Sequence, residues 1–316
     1  MTVERYIQGI KRKFLLRKIN KDAFINEMYD LHLTLQDYAD NLASTEIREI
    51  RITDRTVIFK SRPTSLHPGN LLFKLDLRDR QSSPLNAFNF DRYEGKDAPM
   101  IFKLSEGARV IFDVGANVGW YTMHMCARDL SATVHAFEPV TQIYNELSDN
   151  RALNSLKNAN LNNFGLADSD GYRDFFFSEK ITGAASMRNI IDLPNDNKMR
   201  FHVRSLDSYI AEKKISRIDF MKCDVEGAEL LVLKGGLQSI REFKPKICAE
   251  ILRKWSRKFG YCANDILLFL AECGYLCFKA SGEKLVPVEE ITDETVETNF
   301  FFLHGDKHLA DINFLS

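Results

Sequence analysis

The sequence predicts an α/β fold: a mostly parallel sheet with helices on both faces, preceded by an N-terminal extension of helices and a small β unit. Three observations carry this prediction. From about residue 110 onward short apolar runs alternate with helical patterns; a glycine turn follows the first such run in VIFDVGANVGWYT (110–122); and acidic residues close later runs in HAFEP (135–139) and MKCDVEG (221–227). Strand–helix alternation of this kind builds parallel sheets.

The 316 residues, 45% hydrophobic and 28% charged, suffice for one large domain or for one domain plus an extension. With 43 Lys and Arg against 44 Asp and Glu the net charge is −1, so the pervasive positive field of a nucleic-acid binder is absent. No apolar run approaches the ~20 residues that span a bilayer, none precedes a cleavage site at the N-terminus, and a reducing cytoplasm is therefore expected. The six cysteines include no CxxC pair and mostly sit in apolar stretches, where a reduced thiol packs as a small hydrophobe; neither zinc nor a disulfide framework is expected.

Residues 1–20 carry Arg5, Lys11, Arg12, Lys13, Arg17 and Lys18 against Glu4, with Ile7, Ile10, Phe14 and Leu15 at helical spacing. The apolar stripe of this helix can pack on its own molecule, leaving the basic face to solvent, to a membrane surface or to an anionic partner. Phe24, Met28, Leu31, Leu35, Tyr38 and Leu42 then follow in steps of four and three. That is a heptad seam, which either packs within the chain or pairs with a second copy in a homodimer. Residues 46–60 and 71–77 alternate around the turn-rich SRPTSLHPGN and read as the small β unit. An accessory unit over 1–90 and a main domain over 91–316 are expected, with the irregular stretch Ser82–Pro99 at the join.

In the main domain strands are expected at 110–114, 132–138, within 159–178, and at 218–224, 245–251, 275–279 and 299–304. The last two have no helical pattern between them and should pair antiparallel at one edge of the sheet.

In open α/β sheets a ligand sits at the carboxyl ends of the strands. The turn from Asp113 through Gly115, Ala116, Asn117 and Gly119 lets backbone approach a ligand closely, and the helix behind it offers N–H groups to an anion. Geometry of a tight turn is the alternative reason for the glycines. Glu138, twenty-five residues after Asp113, could accept both hydroxyl protons of a ribose, or be a solvated strand-end acid. A pyrophosphate-binding turn should read GxGxxG, whereas this one reads GANVG, which weakens an NAD-dependent oxidoreductase and favours S-adenosylmethionine. At the third segment, RIDFMKCDVEGAELLVLKGG (217–236), strand alternation puts Asp224 and Glu226 on one side and Val225 on the other. Paired carboxylates there suit a cationic ligand or a base; helix capping is the alternative, chiefly for Glu229.

DVGANVGWYT, the FEP of 137–139, GLADSDG (165–171) and MKCDVEGAELLVLKGG, in this order, resemble the FkbM-type S-adenosylmethionine-dependent methyltransferases over roughly residues 90–305. The resemblance implies a seven-stranded class I methyltransferase sheet with its last strand inserted antiparallel. It also implies methyl transfer, usually to a hydroxyl of a sugar or secondary metabolite. Carried over by position, the backbone of Gly115–Gly119 would hold the methionine end of the cofactor, Glu138 the ribose, Asp168 would lie near the adenine, and Asp224 would face the methionine amine or the acceptor. No family motif covers the first ninety residues.

A neutral hydroxyl needs a base. Asp224, Glu226, Glu250 and His304 stand at expected carboxyl ends of strands around one cleft, Glu250 and Asp224 foremost. Asp224 and Glu250 close neighbouring strands and could instead hold a divalent metal that acidifies the hydroxyl, but the residues favour direct proton removal and no metal site is assigned. His304 has the alternative of a surface residue, and His124 that of a packing histidine. Trp120 and Tyr121 could touch ligand or fill the sheet–helix interface. A scaffold protein with a vestigial cofactor pocket is the remaining reading.

Overall fold

The computed structural model describes residues 6–194 and 197–315; Glu4 and Arg5 of the basic segment lie outside the described residues. The chain begins with a helical hairpin, α1 (Tyr6–Leu15) and α2 (Lys21–Leu42), in which the Asn20 side chain caps α2 by accepting from the Ala23 N–H at 2.8 Å. Phe14 stacks on Phe24 at 4.5 Å and Lys13 meets Glu27 at 2.9 Å, so α1 covers the start of the heptad seam. Further along, Tyr38 stacks on Phe88, and Leu42 packs on the core, whereas Leu35 stays exposed.

Strands β1 (Ile47–Thr53), β2 (Thr56–Ser61) and β3 (Leu72–Lys74) form an antiparallel sheet, followed by α3 (Ser83–Asn89) and α4 (Ala98–Leu104). This β unit has no core of its own. Ile47, Phe59 and Phe73 bury in one cluster with Phe102, Trp120 and Tyr121, and the N–H groups of Leu72 and Lys74 donate to Asn154 and Asn150. A boundary at residue 90 therefore cuts through a shared core.

The main domain runs β4 (Val110–Val114), α5 (Trp120–Arg128), β5 (Thr133–Phe137), α6 (Thr141–Leu153), β6 (Ala159–Asn162), β7 (Gly165–Ala167), β8 (Gly171–Phe176), β9 (Lys198–Ser205) and α7 (Leu206–Lys213). It continues through β10 (Phe220–Cys223), α8 (Glu229–Gly235), α9 (Leu237–Phe243), β11 (Lys246–Glu250), α10 (Arg253–Lys258), α11 (Ala263–Ala271), β12 (Tyr275–Ser281), β13 (Lys284–Pro287), β14 (Asn299–His304) and α12 (Leu309–Leu315). The large sheet has the order β13-β12-β14-β11-β10-β4-β5-β6. Pairings among β11, β10, β4, β5 and β6 are parallel, and β14 runs antiparallel between β11 and β12.

This is the class I methyltransferase sheet of seven strands plus an edge strand, β13, that hairpins onto β12. The last long strand is thus inserted rather than at the edge. The β-rich stretch 159–178 also divides: β6 closes the large sheet, while β7 and β8 flank β9 in a separate three-stranded sheet.

Candidate functional site

The carboxyl ends of β4, β5, β10 and β11 open into a cavity of about 950 Å³. One wall is the glycine turn with Asp113 and Glu138; a second is Lys222, Asp224, Glu226 and Glu250; segments 81–96 and 181–191 supply the rest. Residues before the main domain therefore help enclose the site.

Backbone geometry dictates the turn. Gly115 has φ +84°, and a Cβ on it would lie 1.8 Å from the carbonyl oxygen of Asp224, so only glycine lets the ends of β4 and β10 abut. Gly119, at φ +91°, faces Leu147 of α6, 2.5 Å from where a Cβ would stand. Gly119 is not among the residues lining the cavity and is packed against Leu147 and Met123.

The amides of the turn are already engaged. The N–H groups of Gly115 and Ala116 donate to the carbonyl of Phe137, that of Asn117 donates to Glu138 Oε2 at 3.2 Å, and that of Val118 donates to Asn117 Oδ1 at 2.7 Å. The N–H groups of Gly115 to Val118 are thus taken by neighbouring oxygens, ahead of the start of α5 at Trp120.

Glu138 is buried at the cavity wall, with Oε1 accepting from Val140 N–H at 2.9 Å; burial pushes its carboxyl up to about 7. Asp113 is buried as well, accepts from the Thr122 hydroxyl, and is raised chiefly by burial. The Asn117 amide donates to the Thr182 hydroxyl at 3.4 Å, and that hydroxyl donates to buried Asp79 at 2.5 Å, which fastens segment 181–191 to the N-terminal unit.

On the neighbouring strand β10, in register with Asp113, Lys222 Nζ lies 2.7 Å from Asp224 Oδ2 and 4.9 Å from the centre of the Tyr121 ring. Burial acts to lower its pKa, but Asp224, Glu94 and Asp113 hold the ammonium well above its ordinary value. Glu94 accepts from the Tyr121 hydroxyl at 2.6 Å and is raised by burial. Asp224, Glu226 and Glu250 each bring a carboxylate oxygen within 4.8 Å of the others. Burial first, and then the neighbouring carboxylates, push Glu226 and Glu250 well above the usual carboxylate range.

Strand alternation does not place Glu226. Strand β10 ends at Cys223, Glu226 has φ +57°, and Asp224, Val225 and Glu226 all line the cavity from a turn. Glu229 holds that turn, accepting from the N–H groups of Val225 and Gly227, with its carboxyl pushed up to about 7 by burial.

Two expected site residues lie elsewhere. Because β14 is antiparallel, its first residue, Asn299, pairs with Glu250, and His304 pairs with Tyr275 at the opposite end of the sheet. There His304 is buried, accepting from the N–H groups of Asp306 and Lys307, and it cannot act as a base in the cavity. Asp168 is exposed in the turn after β7 and pairs with Arg173 at 3.6 Å; Gly165 and Leu166 line the cavity instead. Trp120 stacks on Phe73 in the core, and both Trp120 and Tyr121 also line the cavity. His124 packs, with Nδ1 at 2.7 Å from the Trp120 carbonyl and Nε2 at 3.2 Å from the Ser61 hydroxyl.

Sequence reasoning missed Lys222 and Glu94. Alternation backward from Asp224 points to Lys222, two residues earlier on the same side of β10. Glu94 sits in an irregular segment with no periodic signal.

Residues 113–277 match the sequence profile of the Methyltransferase FkbM domain. The hexuronic acid methyltransferase AglP of Haloferax volcanii is 30% identical over 146 residues, covering 45% of this chain and 56% of that protein. Methyltransferase 1 of Beauveria bassiana is 24% identical over 142 residues, covering 40% of this chain and 57% of that one. The chain thus spans a little over half the length of these two relatives. The crystal structure of Methyltransferase FkbM from Methylobacillus flagellatus aligns at 16% identity with a TM-score of 0.40, covering 71% of this chain and 56% of that one.

Proposed function

The chain belongs to the FkbM methyltransferase family, and on that premise we propose that it transfers a methyl group from S-adenosylmethionine to a hydroxyl of a sugar, glycan or related secondary metabolite. When bound, S-adenosylmethionine supplies a methyl carbon made electrophilic by its sulfonium. The observation that carries the reading is the meeting, in one cavity of about 950 Å³, of buried Glu138 beside the Gly115–Asn117 turn with the carboxylates that follow the neighbouring strands β10 and β11.

The residues fit that cofactor. Glu138 closes β5 with its carboxylate on the cavity, where it would accept from two ribose hydroxyls. The turn around Gly115 would border the methionine end. The cavity lining carries Asp91, Glu94, Asp113, Glu138, Asp224, Glu226 and Glu250 against Arg92, Lys96 and Lys222, an acidic excess that suits a positively charged ligand. The turn reads GANVG rather than GxGxxG, which argues against a pyrophosphate, and so against NAD.

The same charge balance favours a hydroxyl acceptor. A hexuronic acid presents both hydroxyls and a carboxylate, and a carboxylate needs no base but is disfavoured by a lining with more acidic than basic residues. A hydroxyl must lose a proton as its oxygen attacks, and Glu94, whose carboxyl is raised by burial on the cavity wall, can take it once ionised. Segment 81–96 lies where it would bound the acceptor.

The test is transfer of radiolabelled methyl from S-adenosylmethionine to a panel of nucleotide sugars, uronic acids and oligosaccharides. Label in carbohydrate that survives mild alkali, as an ether does and an ester does not, is expected. Label in RNA or protein would overturn the acceptor class. Binding of the cofactor with no transfer, and with cellular function untouched by Asp224→Ala and Glu250→Ala, would favour a scaffold.

A further inference from the structure

Asp224 and Glu226 follow β10, Glu250 ends the neighbouring parallel strand β11, and the register of Cys223 opposite Ala249 brings the three carboxylates together on one wall of the cavity. One oxygen from each lies within 4.8 Å of the others. Bonds of about 2.1 Å to Mg²⁺ or about 2.4 Å to Ca²⁺ set ligand oxygens at most about 4–5 Å apart, which matches that spacing. Lys222 Nζ takes Oδ2 of Asp224 and leaves Oδ1 without that partner, and one ammonium does not balance three carboxylates.

A separate observation points to a missing ligand. Glu226 lines the cavity, and its Oε2 is closed off from solvent and has no hydrogen-bond partner among the described residues. Buried polar atoms are normally paired, and a carboxylate oxygen left bare is among the costliest exceptions. We propose that Asp224, Glu226 and Glu250 bind one hard divalent cation, with the bare oxygen of Glu226 completing the donor set. The donors are all carboxylate oxygens, with no histidine or cysteine among them, so Mg²⁺, Mn²⁺ and Ca²⁺ are the ions this set selects. Its role, polarising the acceptor hydroxyl while Glu94 takes the proton, rests on the methyltransferase reading above; its binding does not.

The test uses the full chain, treated with chelator and dialysed, with no methyl donor present. Mn²⁺ is titrated in and the free ion read by electron paramagnetic resonance, with Mg²⁺ and Ca²⁺ as competitors. One Mn²⁺ per chain is expected, displaced by excess Mg²⁺ or Ca²⁺, with affinity weakened about tenfold or more in both Glu226→Gln and Glu250→Gln. Glu226→Asp, which keeps the charge but withdraws the oxygen by one methylene, should also weaken binding, and thermal melts establish that each variant is folded. Glu283→Gln, in the exposed turn between β12 and β13, should bind as wild type. No binding up to about 1 mM Mn²⁺, or wild-type affinity in either glutamine variant, overturns the site. Mn²⁺ binding without S-adenosylmethionine binding would sink the methyltransferase reading and leave the site standing; the converse would remove the site alone.

Discussion

On the proposed assignment of Glu138 to the ribose, the pH of the solution should set the grip on the ligand. Burial raises its carboxyl to about 7, and a ribose hydroxyl donates to the ionised form. Ligand binding should therefore be strongest above pH 7 and weaken as the carboxyl takes up a proton below it. For one group with pKa about 7 the apparent Kd scales as one plus the ratio of protonated to ionised carboxyl. It then rises about tenfold from pH 8 to pH 6, or about 1.4 kcal/mol. The ligand for the assay is 5′-methylthioadenosine, which carries the ribose but no amino-acid end, so that the cofactor's own amine does not titrate. Calorimetry across pH 6–8 should show that slope in the wild type and a flat, weak profile in Glu138→Gln. Losing two hydrogen bonds to a charged acceptor, at about 1.5–3 kcal/mol each, predicts a deficit of ~100-fold or more at pH 8. A flat wild-type profile, or a glutamine variant that binds as well as wild type at pH 8, refutes the assignment of Glu138 to the ribose.

Gly115→Ala combines a left-handed backbone with overlap on the Asp224 carbonyl, whereas Gly107→Ala meets open space at φ +72°. Denaturant unfolding should show a loss of well over ~2 kcal/mol for the first and about 1–2 kcal/mol for the second. Glu94→Gln and Glu250→Gln should each lower kcat on the identified acceptor by about 10²-fold or more while leaving 5′-methylthioadenosine affinity near wild type, measured by initial rates and calorimetry. His304→Gln, far from the cavity, should leave kcat within about twofold. Burial lowers His67, His135 and His308 to about 4. Their contribution to stability is present above the unfolded value near 6.5 and is lost as pH falls toward 4. At pH 5 each should have cost of order 2 kcal/mol, visible as a fall in the urea midpoint relative to pH 7.5.

The parts of the fold that were legible are those where one local rule decides. Buried strands closing on Asp113, Glu138, Asp224 and Glu250 are short apolar runs with a polar residue at the end, and the glycine turn announces itself by spacing. His304 was misplaced because its position depends on strand direction, and an antiparallel insertion reverses which end of a strand faces the ligand. The role of Gly119 was hidden for a related reason: its constraint comes from Leu147, on a helix that local spacing does not bring near. Lys222 was readable from period-two alternation but is a lysine inside an apolar strand, buried only because Asp224 and other carboxylates surround it. Glu94 and Thr182 come from segments without periodicity, whose place is set by long-range contacts such as the bond from Tyr121 to Glu94 and from Thr182 to Asp79. The seam on α2 was read as packing within the chain or pairing with a second copy; Phe24 and Tyr38 of it stack on Phe14 of α1 and Phe88 of α3, while Leu35 stays exposed, because those partners lie on elements that local spacing does not bring near.

The most direct measurement is whether the chain moves a labelled methyl group from S-adenosylmethionine onto a carbohydrate hydroxyl. Alkali-stable label in a sugar, abolished when Glu138 and Glu250 are both changed to glutamine, is the predicted result. A protein that is folded, supplied with the cofactor, divalent cation and the acceptor panel, and still neither binds the adenosyl ligand nor labels any sugar would contradict it.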